Sequence, residues 1–476
     1  IIASSACLGS PLAQLILQYK DAEEEGNKEK CLNVKYKIND FINWCVDVFG
    51  HNYFFIEIQP ALSEEQIYVN KMSLSIAKGY GLDWIVTTDA HYLRPEDREV
   101  HKAYLNSKDG DREVDSFYEA CFVQSESEVR ERLSYLSKED VDTAIENTLK
   151  IGAMVEDYEL EKTPVIPKID LEDFEVRHLF KPAYGQYEYI SKMANSKEEQ
   201  DRYLIKLIED GFEEKVQTPD LTKDEFHKFL KRVDLELGEL WEISDRLNQR
   251  MSSYYITTKE IIDVIWNDAE SLVGTARGSA GGFIICYLLG ITQINPLDWD
   301  LPHWRHLHKS RPDMPDVDID TEGGKRKKIL KALKERFGEM RVLQCATFGT
   351  EGSKSALQTA CRGLGIDVDT AQYLSSFIPF ERGANWSLTD CFFGNEEKER
   401  KPIKEFIREV EKYPRLKETS LKIEGLTNKR SIHAGGVFIF NEEYYETNAM
   451  MKAPNGVPIT QFNLEDSEYL SNVKYD

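Results

Sequence analysis

The sequence predicts a multidomain α/β protein. Its 476 residues and mass of 55.0 kDa exceed what one hydrophobic core usually supports, so two or three domains are expected. Residues 1 to about 105 alternate short β-rich runs with helical patterns, which is typical of βα-repeating units. Helical patterns then dominate until strand character returns in "IHAGGVFIF" near the end. These three observations together favour mixed α/β domains.

The elements of the first part follow one another in a regular order. The runs "NYFFIEIQ" and "LDWIVTTDAH" predict strands, and "EEQIYVNKMSLSIAKGYG" between them predicts a helix. From about residue 125 to 160 the pattern is helical, and "SESE" resembles a helix-start cap. The proline-bearing "EKTPVIPKID" then indicates a linker.

The later part contains the motifs that carry chemistry. Two helical stretches, "SKEEQDRYLIKLIEDGFEEKV" and "KDEFHKFLKRVDLELGELWEISD", precede a glycine-rich run, "GTARGSAGG". An acidic stretch, "MPDVDID", and a basic helical pattern, "GGKRKKILKALKERFG", come next. After about residue 351 the chain is again helical, and no internal repeat is visible.

Charge and cysteine usage limit the classes of protein to consider. The net charge of −24 argues against a general nucleic-acid coat, although it leaves room for a locally basic groove. The eight cysteines contain no CxxC pair, which favours free thiols in a reducing compartment, and we therefore expect a cytoplasmic protein. The longest apolar run, "FIICYLLGI", is too short for a membrane span. Because the sequence begins without methionine or a positive leader, we interpret both ends as cuts in a longer chain.

The acidic stretch predicts a metal site. On a β-strand, which has period two, Asp316, Asp318 and Asp320 would share one face, and clustered carboxylates need a cation to remain ionised together. Oxygen ligands favour Mg²⁺, Mn²⁺ or Ca²⁺. An EF-hand loop is excluded because Thr321 and Lys327 stand where it needs glycine and glutamate. An acidic strand that faces solvent is the alternative.

The glycine-rich run predicts a phosphate-binding turn. In "GTARGSAGGFIICYLLGI" a Gly/Ser turn directly precedes an apolar helical pattern, so backbone N–H groups and the helix N-terminus could bind phosphate. No Walker A lysine follows the glycines, and a simple tight turn is the alternative. With the acidic stretch less than 40 residues later, the pair indicates two metals acting on a bound triphosphate, as in nucleotidyl transfer.

These motifs carry a family resemblance. The stretch from "GTARGSAGG" to "MPDVDID" resembles the palm of the bacterial replicative DNA polymerase III alpha subunit, a C-family polymerase, and "QCATFGTEGSKSALQTACRGLG", "IHAGGVFIF" and "ITQFNLEDSEYLSNVKYD" continue it. The resemblance implies a nucleotidyltransferase-like palm, a mixed sheet flanked by helices, at residues 161–350 and 429–476. It also implies a helical thumb insertion at 351–428. Residues 1–160 resemble the C-terminal part of the polymerase-and-histidinol-phosphatase (PHP) domain, a partial βα barrel, plus a helical linker.

The resemblance also implies an activity and its metal ligands. The activity is template-directed DNA synthesis, in which a nucleotide is transferred from a dNTP to a primer 3′-hydroxyl and pyrophosphate is released. Asp316, Asp318 and Asp476 match the family's catalytic carboxylates, which hold two Mg²⁺ ions, and Asp320 has a supporting role.

Four further residues match positions that the family directs at the incoming triphosphate: Gly278, Ser279, Arg305 and Lys474. One departure is visible, because Thr275 and Ala276 stand where the family usually has Pro-Gly, but the Gly-Ser pair itself is retained. His433 in "IHAGG" matches a family motif, with a packed loop histidine as the alternative.

The first part carries fragments of a second metal site. "SSACLGS" and "VTTDAHYLRPED" match PHP motifs, so Cys7, Asp89 and His91 fall on positions that bind metal, Zn²⁺ or Mn²⁺, where that site is intact. The early histidine motifs of that domain are absent from this chain. The alternatives are therefore an active phosphoesterase or 3′-5′ exonuclease and a structural domain that retains parts of the site.

DNA contact is expected from locally basic segments. The candidates are Lys325 and Lys327, with Arg326 and Lys328 beside them, and Lys354 and Arg362 after "FGT". A solvated helix face is the alternative for the first group. The resemblance implies primer-template DNA and dNTPs as partners, and a sliding clamp and other replisome subunits through regions outside this chain. We expect residues 1–476 alone to polymerise poorly; a non-catalytic replisome scaffold is a further alternative.

Overall fold

The computed structural model describes residues 1–107, 118–159, 165–311, 314–470 and 472–475. Its residues form two compact units, each built from two segments of chain. The first unit contains residues 1–158 and 350–428, and the second contains residues 159–349 and 429–476. Each unit is treated by itself below.

Helices are the commonest regular element among the described residues of both units. In chain order they are α1 Pro11–Glu24, α2 Lys28–Phe49, α3 Glu64–Tyr80, α4 Arg98–Asn106, α5 Glu126–Arg132, α6 Lys138–Met154, α7 Glu188–Ala194, α8 Glu199–Lys215, α9 Lys223–Leu247, α10 Ser252–Asp263, α11 Ile284–Leu288, α12 Arg326–Phe337, α13 Ser353–Gly363, α14 Val368–Ser376, α15 Leu388–Phe393, α16 Lys404–Val410, α17 Leu416–Ile423, α18 Tyr444–Thr447 and α19 Leu464–Tyr469.

The described strands are short, except for two in the second unit. They are β1 Ala3–Ser4, β2 Phe54–Ile58, β3 Trp84–Val86, β4 Val342–Thr350, β5 Phe380–Glu381, β6 Ala384–Asn385, β7 Thr427–Ile439, β8 Met450–Lys452, β9 Pro458–Thr460 and β10 Lys474–Tyr475.

A parallel three-stranded sheet lies in the first unit. Its order is β1-β2-β3, with Ala3 opposite Phe54 and Ile56 opposite Trp84. Helices connect the three strands, as parallel pairing requires. The βα alternation expected from the sequence is confirmed here, while the partial barrel built on it stays a prediction. Because the strands are parallel, their carboxyl ends meet at one edge of the sheet.

Local capping explains where several of these helices begin. Ser125 and Glu128 form a reciprocal capping box at the start of α5, as "SESE" predicted. Ser63 and Ser137 cap α3 and α6 without a reciprocal bond, since their hydroxyl oxygens accept the amides of Gln66 and Asp140. The later segment of this unit is helical as expected, around a core that includes Leu357 and Phe406.

A mixed five-stranded sheet lies in the second unit. Its order is β10-β7-β4-β9-β8; β10 runs antiparallel to β7, and β4 runs parallel to β9. The helices α8, α9 and α10 build the largest core of the unit, in which Leu204, Ile208, Leu237 and Tyr255 are fully buried. A mixed α/β fold is therefore confirmed, and the strand character of "IHAGGVFIF" is confirmed by β7.

The strand predicted for "MPDVDID" is wrong. Residues 314–320 belong to no strand, and only the next residue, Thr321, forms an isolated antiparallel bridge, with Val273. Pro315 has no N–H to donate to a ladder, which disfavours strand pairing here. The alternation of the pattern survives in the burial, since Val317 is only 3% exposed while Asp316 and Asp320 are exposed. Asp318 and Ile319 are both half-buried, so the period-two pattern indicates the buried side correctly only in part, and the stretch pairs with no sheet.

All eight cysteines lie within the described residues and are free thiols. Among those residues, no helix has both the length and the apolar character that crossing a membrane requires.

Candidate functional site

The glycine-rich turn lies against the acidic stretch. A 3₁₀ helix spans Gly278–Gly282, and Gly278 has a positive φ of 63°. A Cβ on Gly278 would stand 3.2 Å from Asp318 Oδ2, and one on Gly274 would stand 2.9 Å from the Cβ of Asp320. The Gly274 amide donates to the Asp320 carbonyl at 2.8 Å. Glycine is needed at both positions because the backbone approaches the aspartates so closely.

Each aspartate of the acidic stretch is paired with a cation. Arg277 Nη1 lies 2.9 Å from Asp320 Oδ1, and Arg277 Nε lies 3.7 Å from Asp318 Oδ2. Lys474 Nζ lies 3.4 Å from Asp316 Oδ2. The three carboxylates are between 31% and 57% exposed, so solvent screens these pairs and each contributes at most about 1 kcal/mol. Such weak pairs can exchange partners when a ligand arrives.

The third predicted carboxylate, Asp476, lies outside the described residues. Lys474, two positions before it in the sequence, is on β10. This strand pairs with β7 so that Lys474 lies opposite Phe438. That strand brings the predicted Lys474 to the predicted Asp316. Within the described part of the chain, the three aspartates of the acidic stretch do not form a group whose ligand atoms all lie within 4.8 Å of one another.

Ser279 has a partner that sequence reasoning missed. Its hydroxyl lies 3.1 Å from Nδ1 of His306, which is only 3% exposed. Burial lowers the pKa of His306 to about 4, so its ring is neutral near pH 7. The run "HWRHLHK" places three histidines close together, and no spacing singles out the buried one. The predicted Arg305 ends a 3₁₀ turn, His303–Arg305, with its side chain exposed.

The N-terminus of the apolar helix is not available to a phosphate. The helix, α11, has only five residues, and the amides of Ile284 and Ile285 donate to the Glu236 carboxylate at 2.9 and 3.1 Å. Arg232 donates to the same carboxylate at 2.7 Å. Glu236 is fully buried, and this burial raises its pKa to about 7. The prediction that this helix end binds phosphate is wrong, because a side chain of the protein already satisfies it.

A second cluster lies in the first unit, and we call Cys7, Asp89, His91 and Cys121 the Asp89 cluster. One ligand atom from each of Asp89, His91 and Cys121 lies within 4.8 Å of the other two, which no other group of three or more His, Cys, Asp or Glu does among the described residues. Cys7 belongs to the same neighbourhood, since burial and a hydrogen bond with Asp89 raise its pKa. The structure thus brings the three residues predicted from the sequence together.

Cys121 is the member of this cluster that the sequence did not indicate. Its carbonyl accepts the amides of His91 and Tyr92 at 2.8 and 3.2 Å, which holds the two segments side by side. Burial raises the pKa of the Cys121 thiol to about 12. Nothing in "YEACFVQ" has the spacing of a ligand motif, so only the fold reveals it.

Two buried polar atoms near the cluster lack a hydrogen-bond partner within the described residues: Asp89 Oδ2 and His101 Nδ1. The His101 ring lies 5.8 Å from the His91 ring, and burial lowers the pKa of His101 to about 4. Leaving a buried carboxylate oxygen unpaired is costly unless a cation or a water compensates it. The donor set of one carboxylate, one imidazole and one thiol suits a divalent transition ion such as Zn²⁺.

The edge of the three-stranded sheet holds a separate carboxylate that is already satisfied. Ser4 Oγ donates to Glu57 Oε1 at 2.5 Å, and Thr87 Oγ1 donates to Glu57 Oε2 at 2.8 Å. Sequence reasoning also missed Glu57, which lies within the apolar run "FFIEI".

The predicted DNA-binding residues differ in how free they are. Lys325 pairs with Glu322 at 2.9 Å, and the carboxylate weakens the positive potential that Lys325 presents to a ligand. Lys327, by contrast, is exposed. Arg362 donates to Thr359 Oγ1 at 2.9 Å, and Lys354 is half-buried near the start of α13.

The basic helix α12 is also anchored near its start through Arg326 and Lys328. Lys328 pairs with Glu270 at 2.8 Å, and Arg326 donates to the His433 carbonyl at 3.1 Å. His433 Nδ1 itself accepts the amides of Gly435 and Gly436 at 3.2 and 2.8 Å. This geometry favours the packed-histidine interpretation of His433.

Comparison with known proteins agrees with the resemblance. The model of the family described as "Bacterial DNA polymerase III alpha NTPase domain" matches residues 202–476. The chain is 66% identical over 479 residues to a probable DNA polymerase, YorL, of Bacillus subtilis, and equally to a DNA-directed DNA polymerase of Bacillus phage SPbeta; each alignment covers 100% of this chain and 37% of the relative. It is 28% identical over 507 residues to the DNA polymerase III subunit alpha of Thermus aquaticus, covering 100% of this chain and 39% of that protein.

The chain therefore spans a little more than a third of the length of these relatives. The matched residues include the glycine-rich turn, the acidic stretch and Lys474, whose arrangement is described above. The chain belongs to the family of the bacterial DNA polymerase III alpha NTPase domain.

Proposed function

We propose that the full-length protein carries out template-directed DNA synthesis in replication. The observation that carries the proposal is the close approach of Gly278 to Asp318, which joins a predicted triphosphate turn to a predicted metal ligand. In this reaction the primer 3′-hydroxyl attacks the α-phosphate of a dNTP, and pyrophosphate leaves. The polymerase is favoured over the phosphoesterase, exonuclease and scaffold alternatives because the family match covers the turn and the acidic stretch together.

The residues present suit the two Mg²⁺ ions that the family implies. Asp316 and Asp318 offer partly exposed carboxylate oxygens, which are the ligands that a hard divalent ion prefers. Each carboxylate lies near a cationic side chain, and this pairing lets it remain ionised while no metal ion is bound. We assign the ions to Asp316, Asp318 and Asp476. When bound, Mg²⁺ would lower the pKa of the attacking hydroxyl and stabilise the charge of the leaving group.

The protein's own residues supply binding and orientation. Gly278 lets the backbone approach the triphosphate, and Ser279 offers it a hydroxyl donor. Lys474, now paired with Asp316, and the exposed Arg305 are assigned to the phosphates, where their charge stabilises the transition state. Arg277 balances Asp318 and Asp320 until the ligands bind.

The DNA contacts and the domain assignment belong to the same proposal. We assign Lys354, Arg362, Lys325 and Lys327 to backbone phosphates of the primer-template, where each would add sequence-independent affinity. Residues 161–350 and 429–476 would be the palm, 351–428 the thumb, and 1–160 the C-terminal part of a PHP domain with a helical linker. A sliding clamp and other replisome subunits would bind regions of the full-length protein other than residues 1–476. The protein would act in the cytoplasm.

The Asp89 cluster fits a separate metal ion, which we take to be Zn²⁺ or Mn²⁺. Its unpaired Asp89 oxygen supports this assignment, and Cys121 would join Cys7, Asp89 and His91 as a ligand. The ion would be held by these side chains and would compensate the buried carboxylate.

Primer extension with Mg²⁺ tests the polymerase proposal. In the full-length protein, Asp316→Ala and Asp318→Ala should each abolish extension, and Asp268→Ala, which removes an exposed carboxylate elsewhere in the second unit, should not. Extension that survives both of the first two substitutions would refute the proposal.

A further inference from the structure

Three side chains form a hydrogen-bonded chain from the core to the glycine-rich turn. The Tyr255 hydroxyl lies 3.1 Å from His306 Nε2, and His306 Nδ1 lies 3.1 Å from Ser279 Oγ. Tyr255 and His306 are 0% and 3% exposed, while Ser279 is half-buried at the surface of the turn. The chain of hydrogen bonds therefore ends at the residue assigned to the triphosphate.

The surrounding packing holds the middle member in place. The His306 ring lies 4.9 Å from the Phe283 ring, which in turn stacks on Tyr255 at 5.5 Å and 17°. The His306 amide donates to the His303 carbonyl at 2.9 Å, which closes the preceding turn. Rings fixed on two sides leave the imidazole little freedom to rotate, so its two nitrogens face constant partners.

The hydrogen-bond donors of Tyr255, His306 and Ser279 can all be satisfied by only one tautomer of the His306 ring. A neutral imidazole has one N–H and one lone pair, whereas a tyrosine or serine hydroxyl has one hydrogen to donate. Among the described residues, His306 is the hydrogen-bond partner of the Tyr255 hydroxyl. If Nε2 carried the hydrogen, the buried Tyr255 O–H would have no acceptor, which is costly. The arrangement that satisfies every group has Tyr255 donating to Nε2 and Nδ1–H donating to Ser279 Oγ.

We propose that His306 is a positioning residue whose Nδ1–H, selected by Tyr255, orients the Ser279 hydroxyl so that its hydrogen points to the triphosphate. Because Ser279 Oγ accepts from His306, its own O–H is left to donate to a phosphate oxygen, and a donor held in advance costs less to order on binding. The inference rests on the proposed polymerase function, which assigns Ser279 to the triphosphate.

The tautomer can be measured without any activity. With ¹⁵N-labelled histidine in this chain of nine histidines, long-range ¹H–¹⁵N spectra distinguish a protonated from an unprotonated ring nitrogen, and the signals lost in His306→Asn identify His306. We expect hydrogen on Nδ1 in the wild type and a loss of this preference in Tyr255→Phe. Hydrogen on Nε2 in the wild type would overturn the inference.

Two substitutions separate positioning from packing. His306→Phe keeps the ring that packs on Phe283 but removes the donor, whereas His306→Asn loses ring contacts but keeps an N–H at the position of Nδ1. In steady-state primer extension by the full-length protein, we expect His306→Phe to raise the KM for dNTP about threefold to tenfold, and His306→Asn to raise it less. A residue that only packs would give the opposite order.

Ser279→Ala distinguishes failure of this inference from failure of the polymerase proposal. If it raises the KM for dNTP while His306→Phe does not, Ser279 binds the nucleotide without help from His306, and the inference is wrong. If both raise it, the double variant should be no worse than Ser279→Ala alone, since both act through one hydroxyl. A wild-type protein that extends no primer would instead reject the polymerase proposal, and the tautomer measurement would still decide the geometry.

Discussion

The carboxylates of the acidic stretch, in the second unit, and of the Asp89 cluster, in the first, differ in their exposure and in how they are paired. Asp316, Asp318 and Asp320 are partly exposed, and each lies near Lys474 or Arg277. Asp89, by contrast, has a buried oxygen with no hydrogen-bond partner among the described residues, beside an imidazole and a thiol. One region balances its charge with the protein's own cations, and the other leaves it unbalanced.

This difference is consistent with the two kinds of site proposed above. Solvated ion pairs near the surface are weak, so lysine and arginine can leave the aspartates for the phosphates when metal and nucleotide bind. The buried Oδ2 of Asp89, which has no hydrogen-bond partner among the described residues, is best compensated by an ion that stays. The first arrangement suits a site that binds and releases substrate, and the second suits a resident metal.

The largest effect is expected within the acidic stretch. Asp318→Asn should lower the rate of primer extension in Mg²⁺ about a thousandfold, because a proposed metal ligand loses its charge. Asp320→Asn, which removes a carboxylate paired with the same arginine, should cost far less. Equal losses in the two variants would mean that the division between Asp318 and Asp320 is incorrect.

Each unit contains a histidine whose pKa is lowered by burial, His306 in the second and His101 in the first, and acid should destabilise each unit. Burial lowers the pKa of His306 from 6.5 to about 4, so the unfolded chain binds a proton that the folded protein does not. Stability from this source is present above pH 6.5 and is lost as the pH falls towards 4, by up to about 3 kcal/mol. Urea unfolding at pH 7 and pH 4.5 should show a smaller acid loss for His306→Phe than for the wild type.

His101 provides the matched measurement in the first unit, because burial lowers its pKa to about 4 as well. His101→Phe should reduce the acid loss of that unit in the same pH range. An unchanged acid loss in both variants would show that other groups control the acid transition.

Metal binding should distinguish the two regions next. Competition with a chromophoric chelator should show Zn²⁺ bound by the wild type, and Cys121→Ser should weaken that binding about tenfold or more, because a soft ligand is replaced by a poor one. Cys31→Ser, at a half-buried thiol outside the cluster, serves as the control. If Cys121→Ser bound Zn²⁺ as tightly as the wild type, Cys121 would not be a ligand.

The smallest effect is expected at a single proposed DNA contact. Lys354→Ala should weaken primer-template binding by a few-fold at most and reduce the slope of log affinity against log salt by about one, as the loss of one phosphate contact predicts. Lys37→Ala, at an exposed lysine on α2, should leave the slope unchanged. Fluorescence anisotropy with labelled DNA over a range of salt concentrations measures both.

Much of the fold could be predicted because its signals are local. The run "FFIEI" and the helical pattern after it became β2 and α3, and "SESE" became the capping box of α5, since periodicity and caps depend on residues a few positions apart. The acidic stretch is not a strand, both because Pro315 has no N–H to donate and for a non-local reason. Its alternation sets which side chains are buried, but strand pairing needs a neighbouring strand with free hydrogen-bonding groups.

The candidate site was predictable to a smaller extent. The motif residues Gly278, Ser279, Asp316, Asp318 and Lys474 could be named in advance, and the structure brings Gly278 to Asp318 and Lys474 to Asp316. Cys121, His306 and Glu236 could not, because no motif spacing singles them out. Their roles arise from contacts between residues 27 to 48 positions apart in the sequence, which no short pattern encodes.

The sequence by itself determined the family, the two motifs of the proposed polymerase site and most of the secondary structure, because each of these is written in neighbouring residues. Only the tertiary structure decided which cations pair with which aspartates and which buried glutamate accepts the first amides of α11. It also decided which cysteine belongs to the Asp89 cluster and which histidine contacts the glycine-rich turn. Those choices depend on burial and distance, and both exist only once the chain has packed.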